Sequence, residues 1–406
     1  MKLPLVLLAL AAVAGLSFSL QNVSSCQVIN VSDTYVLTAN LFNATIIAAP
    51  TTACIHITAS DVLLDCNGFS LTDDPTGSDH TGINVDGANN VTIVNCASSL
   101  YDQCIALRDS NASLVTGNNV TNCSFAGIYV DGTSSGNSIT GNDAASSNYG
   151  IWLGYSPSAN LVSGNTANGN DNDGIRVEFS NSNAVQSNEL FGNRDGVGIL
   201  GGAGNVVDGN TAYNNSVSGY FGGGDNTTVT GNTAYSNDRG FRLLGPMANS
   251  LVSNNTAYGN DAYGFEVDGT AGNNTYDLNT AFGNGDGFFI RTDNDTFTNN
   301  NASFNDFDGI ELQGAQGNIL SDNFVQENGQ FDLNVVPYED ADCGNFIANM
   351  VASGGGLLQY YNSPQALAGG TYPEIVLCDA DNSSISGVTI SGSSSLDNNG
   401  VLVINS

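Results

Sequence analysis

Basic residues are scarce in this sequence. Its 406 residues include 7 Lys and Arg against 39 Asp and Glu, which gives a formal charge of −32. A nucleic-acid-binding protein needs a basic surface that displaces phosphate counterions, so the composition excludes that class. It also argues against docking on an anionic membrane leaflet. Because 41% of the residues are hydrophobic, the chain can fill a core and is not predicted to be disordered.

Long apolar runs are absent except at the N-terminus. The only lysine, Lys2, precedes an apolar run from Leu3 to Leu16, and small or polar residues follow it. This pattern predicts a secretory signal peptide over residues 1–20. An uncleaved membrane anchor and a lipoprotein acylated at Cys26 are the alternatives, but the run is short for a span and Cys26 lies apart from it. We therefore expect a secreted, cell-surface protein with no transmembrane span after signal cleavage.

Soft metal ligands are also few. The chain has 2 histidines, His56 and His80, and 3 methionines, so a copper carrier is disfavoured. No Cys-x-x-Cys pair occurs, which disfavours a zinc knuckle, and an even number of cysteines favours disulfides in an exported protein. About 14 Asn-x-Ser/Thr sequons predict glycosylation sites in loops. The disulfide candidates are Cys26, Cys54, Cys66, Cys96, Cys104, Cys123, Cys343 and Cys378.

The middle of the chain is an internal repeat with a mean period of about 22–23 residues. One asparagine recurs at positions 119, 142, 165, 188, 210, 232, 255, 279, 301 and 323. Some eight residues later comes a glycine followed by an apolar residue, at Gly127, Gly150, Gly174, Gly196, Gly240, Gly264, Gly287 and Gly309. Corners this rich in Gly and Asn exclude helical repeats, and the leucine-rich frame is absent.

These repeats predict an all-β fold, a parallel β-helix of about a dozen coils in which equivalent residues form columns. The asparagine column is expected to form a ladder of side-chain amides inside a turn. The glycine column is expected at a corner with positive φ. An aromatic column is expected to stack as structural filler, and it comprises Tyr213, Tyr235, Tyr258, Phe282 and Phe304.

The repeats resemble the right-handed parallel β-helix repeat family, and are most similar to NosD-like and archaeal surface β-helix proteins. The run Asp61–Gly68, the pair Gly82–Ile83 and the run Asn90–Cys96 are similar to the opening coils of such proteins. The resemblance covers roughly residues 55–350 and implies a single-stranded, pectin-lyase-like β-helix. It implies no particular activity, because this superfamily includes lyases, hydrolases, epimerases and non-enzymes.

The coil alignment divides the chain into four parts and suggests disulfide pairs. The predicted parts are a signal peptide (1–20), an N-terminal cap with first strands (21–60), the β-helix repeats (61–353), and a C-terminal cap or partial second β-helix (354–406).

Cys66 and Cys96 fall in one column of successive coils, within disulfide reach. Cys26 with Cys54 would fasten the N-terminal cap, and Cys104 with Cys123 and Cys343 with Cys378 remain. Eight cysteines allow 105 connectivities, so these other pairings stay open.

In each Gly-apolar-x-apolar-x strand the x residues are predicted to point outward. The first outward column is Asn84, Ala106, Tyr129, Trp152, Arg176, Gly198, Phe221, Arg242, Glu266, Phe289, Glu311, Asp332. The second is Asp86, Arg108, Asp131, Gly154, Glu178, Leu200, Gly223, Leu244, Asp268, Arg291, Gln313, Asn334. Aromatic rings can stack on sugars while arginines and carboxylates bind hydroxyls or uronates. The alternative is an ordinary exposed face with ion pairs such as Asp268–Arg291 and Arg242–Glu266.

The ligand-binding candidates on this face are Tyr129, Trp152, Arg176, Glu178, Arg242, Glu266, Asp268, Phe289, Arg291 and Glu311. Weak catalytic candidates are Glu266 and Glu311, about 9.6 Å apart along the axis, and Arg242 as a base. No cofactor is expected. Calcium is a lesser option at the oxygen-rich segments 171–173, 293–295 and 306–308, where corner turns are the alternative.

The sequence therefore predicts a secreted, cell-surface β-helix that binds polysaccharide or glycans in adhesion or envelope interaction. One alternative is a structural subunit that assembles end to end through the apolar segment Val401–Ile404. The other is a polysaccharide lyase or glycoside hydrolase acting on the outward face. The sequence gives the enzyme less support than the binding protein, because no lyase or hydrolase motif is recognisable.

Overall fold

The structure is a computed structural model and describes residues 19–42, 52–74, 80–269, 271–393, 396 and 400–405. The predicted signal peptide lies almost wholly outside these residues. Between residues 20 and 348 the chain winds through three parallel sheets, and each coil adds one strand to each sheet. One coil, for example, comprises Leu114–Thr116, Asn119–Thr121 and Ala126–Asp131. The predicted parallel β-helix is confirmed.

The sheet that we call the long sheet has 14 strands, so the rod is somewhat longer than the dozen coils predicted. Its strands are Gln27–Ile29, Thr52–Ile57, His80–Asp86, Gln103–Arg108, Ala126–Asp131, Tyr149–Gly154, Asp173–Glu178, Asp195–Ala203, Ser218–Asp225, Arg239–Leu244, Tyr263–Asp268, Asp286–Arg291, Ile310–Gln313 and Leu333–Val336.

The second sheet has 15 strands, nearly all of three residues with the central one buried. They are Leu20–Val23, Thr34–Leu37, Leu63–Asp65, Thr92–Val94, Leu114–Thr116, Ser138–Thr140, Leu161–Ser163, Ala184–Gln186, Val206–Asp208, Thr228–Thr230, Leu251–Ser253, Thr275–Asp277, Thr296–Thr298, Ile319–Ser321 and Phe346–Ala348.

The third sheet has 13 strands and buries a column made largely of alanine. They are Leu41–Phe42, Ser70–Thr72, Ala97–Ser99, Asn119–Thr121, Asp143–Ala145, Thr166–Asn168, Glu189–Phe191, Thr211–Tyr213, Thr233–Tyr235, Thr256–Tyr258, Thr280–Phe282, Asn301–Ser303 and Phe324–Gln326.

Asparagine ladders hold the corners of the rod. In the predicted ladder, the Asn142 amide donates to Asn165 Oδ1 at 3.0 Å and to the Val115 carbonyl at 2.9 Å. Two members were misplaced by one residue, because Asn118 and Asn300 occupy the ladder instead of the residues that follow them. The sequence analysis missed the other two ladders, which include Asn160–Asn183 and Asn170–Asn193. Stacked amides thus satisfy backbone groups at all three corners.

The predicted role of the glycine column is wrong. Gly127, Gly150 and their equivalents lie inside long-sheet strands, except Gly309, which directly precedes one, and none of their φ angles is positive. A Cβ at Gly150 would lie 2.5 Å from the Gly174 carbonyl oxygen and 3.0 Å from the Ala167 Cβ. These glycines are therefore required by the close approach of the next coil and of the buried alanine column.

Two kinds of aromatic stack run along the rod. Inside, Phe241, Phe265 and Phe288 stack at 4.7 and 4.6 Å between ring centroids. Outside, on the third sheet, the predicted stack is present but begins one coil earlier, at Phe191, and ends at Phe282. Phe304 does not join it, because Ser303 is the last residue of the corresponding strand. The stacked rings cover one another's faces, which supports the predicted structural role.

All four cysteine pairs suggested by the sequence are disulfides: Cys26–Cys54, Cys66–Cys96, Cys104–Cys123 and Cys343–Cys378. The last links the main rod to the C-terminal segment. That segment winds as a further short three-sided parallel coil after the two 3₁₀ turns Asp340–Cys343 and Ser353–Gly355. Its sheets are Gln359–Tyr361 with Ile375–Cys378 and Val401–Ile404, Ala366–Ala368 with Ser384–Ser386, and Thr371–Tyr372 with Thr389–Ile390.

Candidate functional site

The outer face of the long sheet displays the two predicted outward columns in register. Asn84 pairs with Ala106, Tyr129 with Trp152, and the first column continues coil by coil to Glu311. The last coil was predicted two residues out of register. Glu311 pairs with Asn334 rather than with Asp332, which is buried at the corner, and Val336 takes the place assigned to Asn334.

A third column of polar and aromatic residues lies directly before the glycines, and it was not predicted from the sequence. It contains Tyr149, Asp173, Asp195, Ser218, Arg239, Tyr263, Asp286 and Asp308. The strand pairing skips the glycine, so the strict alternation used to predict outward residues fails at this point. Asp173 consequently contacts Arg176 in the first column, and a Cβ at Gly198 would meet its Oδ2. We call it the pre-glycine column.

Tyr129 and Trp152 do not form the open platforms that the sequence predicted. They are only 7% and 6% exposed, and their ring centroids lie 5.7 Å apart. Phe125 and Tyr149 pack against Trp152 at 4.5 and 4.7 Å. The sequence could not reveal this burial, because the rings that cover Trp152 come from the preceding corner and the pre-glycine column. Phe289 is also buried, against Tyr263 at 4.7 Å.

Arg176 links two acidic groups of this face. Its Nη1 lies 2.9 Å from Asp173 Oδ2, and its Nε lies 3.6 Å from Glu178 Oε2. In the next coil Asp195 accepts a hydrogen bond from the Ser218 hydroxyl and lies 3.6 Å from Arg194. Burial raises the pKa of Asp173 to about 6, and it also raises the pKa of Asp195.

Glu266 is clamped by two arginines from the preceding coil. Its Oε2 lies 2.7 Å from Arg239 Nε and 3.0 Å from Arg242 Nε. Both predicted cross-strand ion pairs are present, because Arg291 lies 3.6 Å from Asp268 in addition. The two members of the proposed catalytic pair, Glu266 and Glu311, therefore lie in different electrostatic environments. Glu266 is committed to guanidinium groups, whereas Glu311 faces other carboxylates.

Asp286, Asp308 and Glu311 form what we call the acidic cluster. One carboxylate oxygen from each lies within 4.8 Å of the others. Asp286 accepts the backbone N–H of Asp308 at 2.8 Å, and Asp308 accepts the Asn334 amide at 2.8 Å. Burial and mutual repulsion raise the pKa of Glu311 to about 7, and burial raises that of Asp286 to about 6. Glu311 thus has the raised pKa that a general acid needs, although its participation in catalysis stays a prediction.

The acidic cluster is also the one grouping, among the residues that the structure describes, with the spacing of a metal site. Three carboxylates suit a hard cation such as Ca²⁺. Of the three segments proposed for calcium, only 306–308 contributes a residue, Asp308. Asp295 instead accepts the Asn274 amide in a corner ladder, and Asp173 binds Arg176. Calcium binding stays a prediction.

We expect the acidic cluster to make stability depend on pH. The folded chain holds protons on Glu311 and Asp286 that the unfolded chain releases near pH 4, so stability should fall between about pH 4.5 and 7.5. With a discount for the partial exposure of Glu311, the loss is roughly 1–2 kcal/mol. Glu311→Gln should flatten this slope in thermal melts across pH, and Glu189→Gln, at an exposed site, should not. Parallel slopes for all three proteins would disprove the effect.

Comparison with known families places the chain among β-helix proteins. The family model described as "Right handed beta helix region" matches residues 158–302, and the model described as "Periplasmic copper-binding protein (NosD)" matches residues 20–199. No curated protein matches the sequence. The residues of this chain do not fit copper. In the described part all cysteines are in disulfides, and His56 and His80 hydrogen-bond to Asn84 and Asp73.

Solved structures share the fold at low identity. The A-module of the mannuronan C-5 epimerase AlgE6 from Azotobacter vinelandii has 13% identity and a TM-score of 0.53, and the match covers 79% of this chain and 91% of that chain. Lid-less DFA-IIIase from Arthrobacter chlorophenolicus A6 has 14% identity and a TM-score of 0.51, over 63% and 81%. The Dettilon tailspike protein has 16% identity and a TM-score of 0.51, over 77% and 64%. These likenesses show the fold alone.

Proposed function

We propose that this chain, a NosD-like right-handed β-helix repeat protein, binds polysaccharide along the outer face of its long sheet. The observation that carries the proposal is the segregation of chemistry onto one face. Five of the six arginines lie on long-sheet strands, and Arg194 immediately precedes one. Facing carboxylates and half-buried aromatic rings accompany them over successive coils. An extended, in-register row of such groups matches a repeating polymer better than a small, isolated ligand.

The setting supports an exported protein. Four disulfides are typical of an oxidising compartment, and the matched NosD family is described as periplasmic. Within the described residues, no helix combines the length and apolar character that a membrane crossing requires. The structural neighbour AlgE6 is named for the epimerisation of mannuronan, a polysaccharide. We place the binding in adhesion or in contact with a cell envelope.

Affinity electrophoresis against a panel of neutral and anionic polysaccharides tests the proposal. The double variant Arg242→Gln/Glu266→Gln keeps hydrogen-bonding groups but removes the central ion pair of the face. We expect it to weaken binding of any retarding polysaccharide about tenfold or more, which corresponds to about 1.4 kcal/mol. Tyr235→Ala, on the outer face of the third sheet, is the control and should bind as wild type does. Equal loss in both variants, or no retardation by any polysaccharide, would contradict the proposal.

Strand Val401–Ile404 pairs on one side with Ile375–Cys378, and end-to-end assembly through it stays a prediction.

A further inference from the structure

Two aromatic rings stand in the open beside the long sheet, at positions that the sequence analysis did not single out. Tyr155 and Phe179 are 54% and 61% exposed, and their centroids lie 6.5 Å apart with a tilt of 30°. They directly follow the last residues of the strands Tyr149–Gly154 and Asp173–Glu178. We call them the aromatic pair. Together they form a continuous ring surface one coil long.

The backbone at this corner explains why the pair projects outward. Tyr155 and Phe179 have φ angles of +64° and +47°, a left-handed conformation that bulky residues rarely adopt. Glycine occupies the equivalent turn in both flanking coils, at Gly132 and Gly201. Because neither flanking glycine has a side chain, no neighbouring coil covers the ends of the pair. A Cβ at Gly201 would already touch the Phe179 ring at 3.3 Å.

Polar groups suited to sugar hydroxyls surround the aromatic pair. Glu178 immediately precedes Phe179. The Nε atom of Arg176 lies 3.6 Å from Glu178 Oε2. The Trp152 indole N–H has no hydrogen-bond acceptor in the described structure, although the residue is only 6% exposed. This N–H lies directly over Gly154, where a Cβ would be 2.7 Å from the nitrogen. The unmatched donor therefore sits at the base of Tyr155.

The charge balance selects the ligand. Each of the six arginines lies within 4.0 Å of a carboxylate, so an acid of this chain already opposes the charge of every guanidinium. The chain as a whole carries a formal charge of −32. This excess of negative charge repels a uronate or sulfated sugar, whereas a neutral sugar presents hydroxyl donors to carboxylates and C–H faces to rings.

We propose that the aromatic pair, with Glu178 and the Trp152 N–H, is the subsite that receives a neutral sugar unit of the bound glycan. The inference rests on the proposed function and narrows it to one location and one class of polysaccharide. It also replaces Tyr129 and Trp152 as stacking platforms, since the open rings lie beside them and Trp152 contributes its N–H instead. The paired arginines and the net charge of −32 disfavour the uronates that the sequence admitted.

The test uses the double variant Tyr155→Gly/Phe179→Gly, because glycine accepts the positive φ at no steric penalty. Phe304→Gly is the matched control, since Phe304 is 65% exposed with φ +60° but lies at another corner. Removing strain should leave thermal stability unchanged or higher in both proteins. Affinity is measured by titration with dextran, mannan and inulin as neutral probes, and with polygalacturonate and alginate as anionic probes.

We expect wild type to bind at least one neutral probe, and the double variant to bind it at least tenfold more weakly while Phe304→Gly binds normally. An unchanged affinity in the double variant overturns the subsite, and so does wild-type binding restricted to anionic probes. If Arg242→Gln/Glu266→Gln loses binding while the double variant does not, the polysaccharide-binding face stands and only the subsite fails. If wild type binds no probe, both proposals fail.

Discussion

Gly150→Ala is expected to destabilise the rod by about 3 kcal/mol, although it adds a single methyl group. The new Cβ would lie 2.5 Å from the Gly174 carbonyl oxygen, 2.9 Å from the Asn170 amide and 3.0 Å from the Ala167 Cβ. The nearest atom belongs to the backbone of the next coil, so it cannot rotate away. Relief requires the two coils to separate and the long-sheet ladder to open.

Gly164→Ala is the control, because Gly164 has a φ of +61° and open space where a Cβ would lie. Its expected loss is about 1–2 kcal/mol, from conformation alone. Urea unfolding of both variants separates the steric role of the strand glycines from the conformational role of corner glycines. Equal losses, or a smaller loss for Gly150→Ala, would contradict the packing that the structure shows.

The second large effect is expected for Asn118→Ala. The Asn118 amide donates to the Ile93 carbonyl at 3.1 Å and to Asn142 Oδ1 at 2.9 Å, and its oxygen accepts the Cys96 N–H at 2.9 Å. Truncation leaves buried groups of two neighbouring coils unpaired, which costs about 3–4 kcal/mol in total. The midpoint of urea unfolding should fall accordingly.

Asn119→Ala provides a control on the very next residue. Asn119 is exposed, and the expected change is below about 0.5 kcal/mol. The repeat alone had assigned the ladder to Asn119, so the two variants also decide between the sequence alignment and the structure. A larger loss of stability for Asn119→Ala than for Asn118→Ala would mean that Asn119, and not Asn118, occupies the ladder.

The period of the repeat was enough to predict the three-dimensional fold and most columns, because equivalent residues of a solenoid must stack. It was not enough where asparagines are adjacent. At Asn118–Asn119 and Asn300–Asn301 the spacing cannot tell which residue turns inward, since that choice depends on the neighbouring coils. The same ambiguity explains why the sequence assigned Phe304 to the aromatic column, where the structure places Ser303.

The site was predicted less completely than the fold, for three physical reasons. The strand alternation breaks at each glycine, which concealed Asp173, Asp286 and the rest of the pre-glycine column. Tertiary packing covered Trp152 with rings from outside its own strand. Finally, Tyr155 and Phe179 occupy a left-handed turn where the pattern suggests glycine. The clue available in the sequence was the bulky residue at a position held by glycine in the flanking coils, Gly132 and Gly201.

A crystal structure of the protein with a neutral oligosaccharide, taken from whichever probe binds, would locate the bound glycan directly. We expect density for sugar rings on the outer face of the long sheet, with one ring on Tyr155 and Phe179 and a hydroxyl within hydrogen-bond distance of Glu178. Sugar density confined to the second or third sheet, or to the C-terminal coil, would contradict it.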